Sequence, residues 1–292
     1  MKIHLIKYII MDVKIIHTKE PEILKQGVSV ISKAWGSDDF ATFLKDLLVA
    51  ISHNGGLTLV AYHGNSVIGF SFAFRAYHNG KYYLYSHQTG VIPEYRNTSV
   101  GYKLKLKQRE WAIGNGIDLI AWTFDPLQGL NSKFNLHKLG VIVRVYHRNH
   151  YGIMTDSLNK GIASDRVIAE WYIKSSHVLK RLNNVFESYD NLINVVKTRE
   201  KNEYRIVEDI DLNSNEDSLL IEIPYDINLI KKKDIEEAKR WRELTAEVYL
   251  NYFKKGYIII DLITKDKRNF QVATKNIPPE IDKNSIFYDL LG

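Results

Sequence analysis

The hydrophobic pattern of the first fifty residues predicts one strand followed by two helices. A strand is predicted at 13–17. A helix then begins near Pro21, a residue type that favours the first helical turn, and reaches about Ala34. A polar break at 36–39 ends this helix, and a second, shorter helix extends to about Ile51.

Three extended segments separated by turn residues follow. They lie at 57–62, 67–76 and 82–91, with turns at 63–66 and 78–81. Because short turns join antiparallel neighbours, these segments are predicted to form an antiparallel meander.

The pattern then alternates between helices and strands. A helix that opens at 96–99 reaches about Asn115, with an apolar stripe that begins at Val100 and Leu104. The strand at 117–124 is apolar on both faces and is therefore predicted to lie centrally in a sheet. The first predicted domain, 12–178, is completed by a helix at 130–139 and strands at 141–146 and 166–173.

The composition shifts near residue 180. Segment 181–203 is polar and rich in asparagine, which suits a linker or a loosely packed helix. A second predicted domain, 200–292, contains strands at 204–207 and 219–223, a long helix at 227–253, and a closing hairpin at 257–264 and 269–274.

Composition excludes several classes of site. The chain of 292 residues has no cysteine, which rules out disulfides, thiolate zinc sites and a cysteine nucleophile. The apolar segment 1–11 is too short to span a bilayer, and no other segment is apolar enough, so no membrane association is expected. These features fit a cytoplasmic protein. Met11 is an alternative start, which leaves open whether residues 1–10 belong to the native chain.

The net charge of +6 favours an anionic partner, either a nucleotide cofactor or a nucleic acid. The lysine run 231–233 is followed at once by acidic residues and is interpreted as the solvated start of a helix, so a nucleic-acid partner is disfavoured. His147 and His150 lack the spacing and the further ligands of a zinc site, and no metal is predicted.

The chemically informative segment is 90–104. A strand ends, a short polar loop follows, and a helix begins with unpaired amides and the positive end of its dipole. Such a helix start suits a pyrophosphate, and Gly101 allows a ligand to approach the backbone closely. Positive potential is expected from nearby basic residues, namely Lys103, Lys105, Lys107 and Arg109. The bare pattern is common, and most such units bind nothing.

This segment resembles the pyrophosphate-binding signature of the GNAT superfamily, Arg/Gln-x-x-Gly-x-Gly/Ala between a strand and a helix. Residues 96–101 fall on its six positions in order, with Ser99 in place of the first glycine. Further motifs, among them 93–96, 108–112, 122–127 and 164–166, resemble a subgroup of two-part prokaryotic predicted N-acetyltransferases. The resemblance covers roughly 57–175 and, more loosely, 221–256; it is specific for the subgroup and not for a substrate.

The resemblance implies an α/β (α+β) fold with a GNAT-like central mixed, mostly antiparallel sheet flanked by helices. A smaller C-terminal α/β unit follows, for which a degenerate GNAT half is one interpretation. This unit is expected either to enclose the acceptor site or to form a homodimer contact.

The implied cofactor is acetyl-CoA (coenzyme A). Its pantetheine arm would lie between the strands at 82–91 and 117–124, pairing with the backbone of Gly90 and Val91, and Asn131 would contact the arm. The pyrophosphate would sit on the amides of Arg96, Asn97, Thr98, Ser99, Val100, Gly101 and Tyr102.

The family reaction is a direct attack by an amine on the thioester. His87 is the candidate base, with a histidine hydrogen-bonded in the core as the alternative, and the Val91 amide is the expected oxyanion donor. The usual acid is a tyrosine, but its position holds Leu136, which has no proton to donate. Tyr146 and Tyr151 are candidate substitutes, with a structural role as the alternative for each.

Asp125 stands at the end of the predicted central strand. It either caps the next helix or orients a substrate.

Three functions therefore compete. The first is acetyl-CoA-dependent transfer to the amine of a small molecule or a peptide. The second is a catalytically inactive GNAT fold that binds CoA or a partner, which Leu136 and Ser99 favour. The third is nucleic-acid binding.

Overall fold

The computed structural model describes residues 12–35, 41–152 and 161–290, so segment 1–11 and the break predicted at 36–39 lie outside the described residues. The chain divides into two compact units. The first comprises Met1–Arg75 and Tyr85–Asn115, and the second Ala76–Leu84 and Gly116–Gly292. These limits differ from the predicted domains 12–178 and 200–292, which stay a prediction.

The first unit is built from the meander and three helices. Its elements are β1 (Lys14–His17), α1 (Pro21–Trp35), α2 (Ala41–His53), β2 (Leu57–His63), β3 (Ser66–His78), β4 (Lys81–Val91) and α3 (Val100–Gly114). The strand order is β1-β2-β3-β4, and β2 pairs antiparallel with both β1 and β3. The tips of β3 and β4, 76–84, belong to the second unit.

The core of the first unit joins the two N-terminal helices to the strands. Leu24 and Val28, one helical turn apart on α1, pack with Leu48 of α2. Phe70 and Phe72 alternate along β3 and present the same face to this cluster. The apolar faces that the helical and strand periods predict therefore pack together in one buried layer.

The second unit holds the remaining elements. They are β5 (Leu119–Phe124), α4 (Gly129–Ser132) continued by a π-helical turn (Lys133–Leu139), β6 (Ile142–His147), β7 (Arg166–Tyr172), α5 (Ser176–Leu182), β8 (Val196–Lys201), β9 (Tyr204–Ile210), β10 (Ser218–Ile223), α6 (Ile227–Lys233), α7 (Ile235–Lys254), β11 (Ile258–Lys265) and β12 (Arg268–Thr274). Its main strand order is β5-β7-β6-β11-β12-β10, and β8 and β9 form a separate ribbon.

Strands from the C-terminal part continue the sheet of β5, β6 and β7. Strand β11 pairs antiparallel with β6, with Ile259 opposite Val143, and β12 pairs antiparallel with β11 and β10. The predicted class, a mostly antiparallel sheet flanked by helices and followed by further α/β elements, is confirmed. The last three strands of the C-terminal part lie in the order β11-β12-β10, whereas the first three strands of the first unit lie in their sequence order, β1-β2-β3.

Three element predictions were wrong in detail. Segment 181–203, predicted as a linker or loose helix, contains β8, whose polar sequence gave no strand signal. The predicted helix at 227–253 is broken at Asp234, which has extended backbone and accepts the Glu237 amide as the cap of α7. Helix α3 begins at Val100, because the residues before it form a turn.

None of the described helices is long and apolar enough to cross a membrane.

Candidate active site

The connection from β4 to α3 is a compact turn. A single 3₁₀ turn, Pro93–Tyr95, follows β4, and the Ile92 amide donates to Ile68 of β3 at 3.0 Å, which fixes where the turn begins. The Thr98 hydroxyl donates to the Tyr95 carbonyl and closes the turn. Residues 96–101, which carry the signature, are called the anion loop below.

Two residues of the anion loop have left-handed backbone conformations. Asn97 has φ 62° and Ser99 has φ 67°. A residue with a Cβ is disfavoured in this region by about 1–2 kcal/mol, which explains physically why the family signature has a glycine where Ser99 stands. A left-handed residue followed by a right-handed helical one turns successive amides toward a common point, an arrangement that binds anions.

The N-terminus of α3 has no side-chain cap among the described residues. The first helical backbone bond runs from the Lys103 amide to the Ser99 carbonyl, at 2.9 Å. The Ser99 side chain makes no capping hydrogen bond to a described residue, and the first turn of α3 contains no acidic residue. The positive end of the helix dipole is therefore neither capped nor neutralised by this turn itself.

Two glycines near the start of α3 have different surroundings. A Cβ at Gly69 of β3 would come within 2.9 Å of Val100 and 3.2 Å of Leu104, so Gly69 lets α3 pack against the sheet. A Cβ at Gly101 would meet nothing nearer than the Val91 side chain, at 3.9 Å. Packing with the described residues does not require a glycine at 101, and a glycine there leaves room for a ligand to approach the backbone.

The basic residues on and before this helix have different surroundings, and the predicted positive potential stays a prediction. Lys105 is buried, its Nζ donates to the Ser86 hydroxyl at 2.8 Å, and burial lowers its pKa to about 7. Lys107 is paired with Glu110 on the exposed face, at 2.7 Å. The Arg96 guanidinium donates to the Ala34 carbonyl at the end of α1, at 2.9 Å.

Lys105 belongs to a buried polar cluster between α3 and strands β3 and β4, called the Lys105 cluster below. The Ser86 hydroxyl donates to Gln108 Oε1 at 3.0 Å, and Gln108 Nε2 donates to the Ser71 hydroxyl at 2.7 Å. Ser71 in turn lies 2.7 Å from the Thr89 hydroxyl. The cluster ties the helix that carries the anion loop to the strand that carries Gly90 and Val91.

His87 lies on the other face of β4, among aromatic rings. Its ring centroid is 5.2 Å from that of Phe72, 6.0 Å from that of Tyr85 and 6.3 Å from that of Phe74. Part of the residue is exposed, and desolvation by the surrounding atoms lowers its pKa below the usual 6.5. The imidazole is therefore neutral at pH 7 and able to accept a proton.

The two candidate acids of the second unit have different surroundings. Tyr146 is 1% exposed and donates to Asp165 Oδ2 at 2.6 Å, and burial together with the Asp165 charge raises its pKa. Tyr151 is 44% exposed, and its hydroxyl lies 2.9 Å from that of Thr123 on β5. The Arg166 guanidinium lies 5.4 Å from the Tyr151 ring centroid. Of the two tyrosines, only Tyr151 has a hydroxyl near the surface.

The two other positions of interest lie on α4 and its π-helical continuation. Asn131 is exposed, and its carbonyl oxygen accepts a weak bond from Asn135 at 3.3 Å. Leu136, at the position of the family's acid, is fully buried.

Asp125 forms an ion pair that sequence reasoning missed. Its Oδ1 accepts the Leu127 amide at 2.9 Å, a local turn cap, and also Arg242 Nη1 at 2.7 Å; Oδ2 accepts Arg242 Nη2 at 2.6 Å. Both side chains are buried. A cavity of about 430 Å³ borders Arg242 and is also lined by Asn149, Lys239 and Glu243, among other residues. No sequence signal joins residues 125 and 242, which come from separate segments.

Residues 21–140 match the model of the acetyltransferase (GNAT) family. This segment is a GNAT acetyltransferase domain. The GNAT domain contains the anion loop, His87, Asn131 and Leu136, whereas Tyr146, Tyr151 and Arg242 follow it in sequence.

Solved structures of acetyltransferases are similar at low identity. The putative acetyltransferase yncA from Salmonella typhimurium, solved with acetyl-CoA, is 14% identical, with a TM-score of 0.45, over 56% of this chain and 94% of that chain. The PaiA N-acetyltransferase from Thermoplasma acidophilum, solved with coenzyme A, is 18% identical, with a TM-score of 0.41, over 56% of this chain and 100% of that chain. No relative among curated proteins matches the chain.

Proposed function

We propose that the chain transfers the acetyl group of acetyl-CoA directly to the amine of a small molecule or a peptide. The observation that carries the proposal is the start of α3 inside the GNAT domain, which has no side-chain cap, no acidic residue in its first turn and free space beside Gly101. The predicted role of the Arg96 amide is wrong, because this amide donates to the Pro93 carbonyl at 3.2 Å. In the proposal the amides of 97–101 hold the diphosphate, while the backbone of Gly90 and Val91 pairs with the pantetheine arm and Asn131 contacts it.

The reaction needs a neutral amine, a donor for the oxyanion and a proton for the leaving sulfur. The amine nitrogen attacks the thioester carbonyl carbon, the Val91 amide stabilises the developing oxyanion, and the C–S bond breaks. His87, neutral because its pKa is lowered, takes the proton that the amine loses. The thiolate of coenzyme A leaves and takes up a proton.

Of the two candidate tyrosines, Tyr151 is the proposed donor of that proton. Its hydroxyl is near the surface and contacts Thr123 on β5, whereas the hydroxyl of Tyr146 is committed to Asp165. The cavity beside Arg242 is a candidate site for the acceptor. Its lining combines Lys239 and Arg242 with Glu243 and an asparagine, which suits a polar acceptor.

A CoA-binding protein without transferase activity is the second candidate. The buried Leu136 favours it, since the family's acid is missing at that position. In this case acetyl-CoA binds, but an amine does not accelerate its cleavage.

Calorimetry with acetyl-CoA, combined with a matched pair of glycine variants, tests the anion loop. Gly101→Ala adds a methyl group that the described protein accommodates but a bound diphosphate would not, so affinity should fall by about tenfold or more. Gly114→Ala, on the same helix and facing open space, should bind as the wild type does. Equal affinity for both variants would place the diphosphate elsewhere.

Release of free CoA with a panel of amines then separates the two candidates. The transferase predicts amine-dependent release, with kcat lowered in Tyr151→Phe and acetyl-CoA affinity unchanged. Binding of acetyl-CoA without release for any amine would support the inactive module.

A further inference from the structure

A second cavity lies in the C-terminal part of the second unit, outside the GNAT domain. Its volume is about 410 Å³, and its lining residues all fall between Glu200 and Arg268. Cavities of about 300–1,000 Å³ are typical of small-molecule sites. Strands β9 and β10 and helices α6 and α7 contribute to its walls.

A buried carboxylate holds two guanidinium groups at this cavity. Glu222 is 1% exposed and accepts Arg268 Nε at 2.9 Å and Nη2 at 2.6 Å. Arg205 Nε lies 3.4 Å from Glu222 Oε1, and its Nε and Nη2 donate to the hydroxyl and carbonyl of Thr198, each at 2.7 Å. Thr198 also donates to Glu222. Both guanidinium groups are therefore fixed in orientation from one side.

The remaining nitrogen of each group is available to a ligand. Nη1 of Arg205 and Nη1 of Arg268 make no hydrogen bond to a residue that the structure describes, and both arginines line the cavity and are about one-third exposed. Among Arg205, Arg268 and Glu222 two guanidinium charges face one buried carboxylate, whereas the whole lining carries five acidic and three basic side chains. The excess of one positive charge is therefore local to the two arginines, and a carboxylate matches the planar geometry of guanidinium donors.

Acidic residues at the rim are partly occupied by other partners. Asp226 caps α6, accepting the amides of Asn228 and Leu229 at 2.9 and 3.2 Å. Glu203 is paired with Lys233 at 3.1 Å. Glu200 and Asp266 are exposed, and the neighbouring Lys267 opposes them, so water screens their effect.

The rest of the lining is apolar and aromatic. Trp241 is fully buried and its indole N–H is already donated to the Arg205 carbonyl, so it supports the wall from behind. Leu229 and Ile230 of α6 extend this wall, and Tyr225, 55% exposed, is the aromatic lining residue most open to solvent. Such walls favour a ligand with an apolar body.

We propose that this cavity binds a small monocarboxylate with an apolar body, whose carboxylate bridges Arg205 and Arg268 and whose body packs on Tyr225 and Leu229. The site is separate from acetyl transfer, and its ligand is not the acetyl acceptor.

The test uses phenylacetate and its neutral isostere phenylacetamide, titrated into the full chain by calorimetry. Phenylacetate should bind saturably, and phenylacetamide about tenfold more weakly or worse, because it lacks the charge that pairs with the two arginines. Since no acetyl-CoA is present, the outcome is independent of the proposed transferase activity.

Two pairs of variants locate the binding. Leu229→Trp fills the cavity without touching the ion pair and should abolish phenylacetate binding, whereas Leu179→Trp, exposed on α5, should not. Arg268→Gln should weaken binding, whereas Arg199→Gln, an exposed arginine paired with Glu208, should leave it unchanged. If Arg268→Gln does not fold, phenylacetate binding by Leu229→Trp still tests the proposal.

Three results would overturn the proposal. They are the absence of saturable phenylacetate binding, equal affinity for phenylacetamide, and wild-type affinity in Leu229→Trp.

Discussion

The two units bury polar groups in different ways. In the first, the Lys105 ammonium donates to a hydroxyl within the Lys105 cluster, and burial lowers its pKa to about 7. In the second, burial alone would raise the pKa of Asp125, but the charge and hydrogen bonds of Arg242 lower it overall. A buried amine bonded to a hydroxyl gives up its proton near neutrality, whereas a bidentate ion pair keeps both charges.

The largest effect is expected from Asp125→Ala. Arg242, 3% exposed, would keep a buried charge without its carboxylate, and the free energy of unfolding should fall by about 3–5 kcal/mol. Glu243→Gln is the control, because it breaks an exposed pair with Arg148 and should cost less than about 1 kcal/mol. Urea unfolding at pH 7 measures both. Similar losses in the two variants would mean that the buried pair is worth no more than a surface one.

A pH-dependent effect is expected at Lys105. The folded pKa of about 7 lies below the ordinary 10.5, so between these values the unfolded chain binds a proton that the folded chain does not. The contribution of Lys105 to the free energy of unfolding is therefore lowest below pH 7, and it increases as the pH rises above 7. The gain is about 3 kcal/mol between pH 7 and pH 9.5, at about 1.4 kcal/mol per pH unit.

Lys105→Met should remove this slope. Urea unfolding of the wild type and the variant at several pH values checks it, and the difference between the two curves isolates the contribution of Lys105. The same slope in both proteins would show that Lys105 keeps its proton in the folded state.

The smallest effect is expected from Ser86→Ala. The change removes the acceptor of Lys105 and the donor to Gln108, which should cost about 1 kcal/mol. Thermal unfolding of Ser86→Ala and of Asp125→Ala compares the loss of stability at the Lys105 cluster with the loss at the Asp125–Arg242 ion pair. A loss from Ser86→Ala that matches the one from Asp125→Ala would remove the distinction between them.

Much of the fold and the position of the anion loop were predictable from local sequence. Periods of two and of about 3.6 marked the strands and helices, and the residues 96–101 marked the loop between β4 and α3. What sequence could not supply was the conformation of Ser99, whose positive φ is a property of the folded turn.

The polar clusters were not predictable for two physical reasons. Asp125 and Arg242 come from separate segments, and no periodicity relates residues that meet only through tertiary packing. Lys105 and Gln108 lie on the buried face of α3. Because hydrophobic periodicity assigns only apolar residues to the core, it does not predict that these two polar residues are buried. Strand β8 was missed because its charged side chains are largely exposed.

The pairing of β11 with β6 limits how the gene can be shortened. A fragment that stops at residue 178 would lose β11 and leave one edge of β6 with unpaired amides and carbonyls, next to side chains that are now buried. It would also leave the Asp125 carboxylate without the guanidinium that neutralises it. Expression of such a fragment should therefore yield aggregates, even though it contains every residue of the GNAT domain.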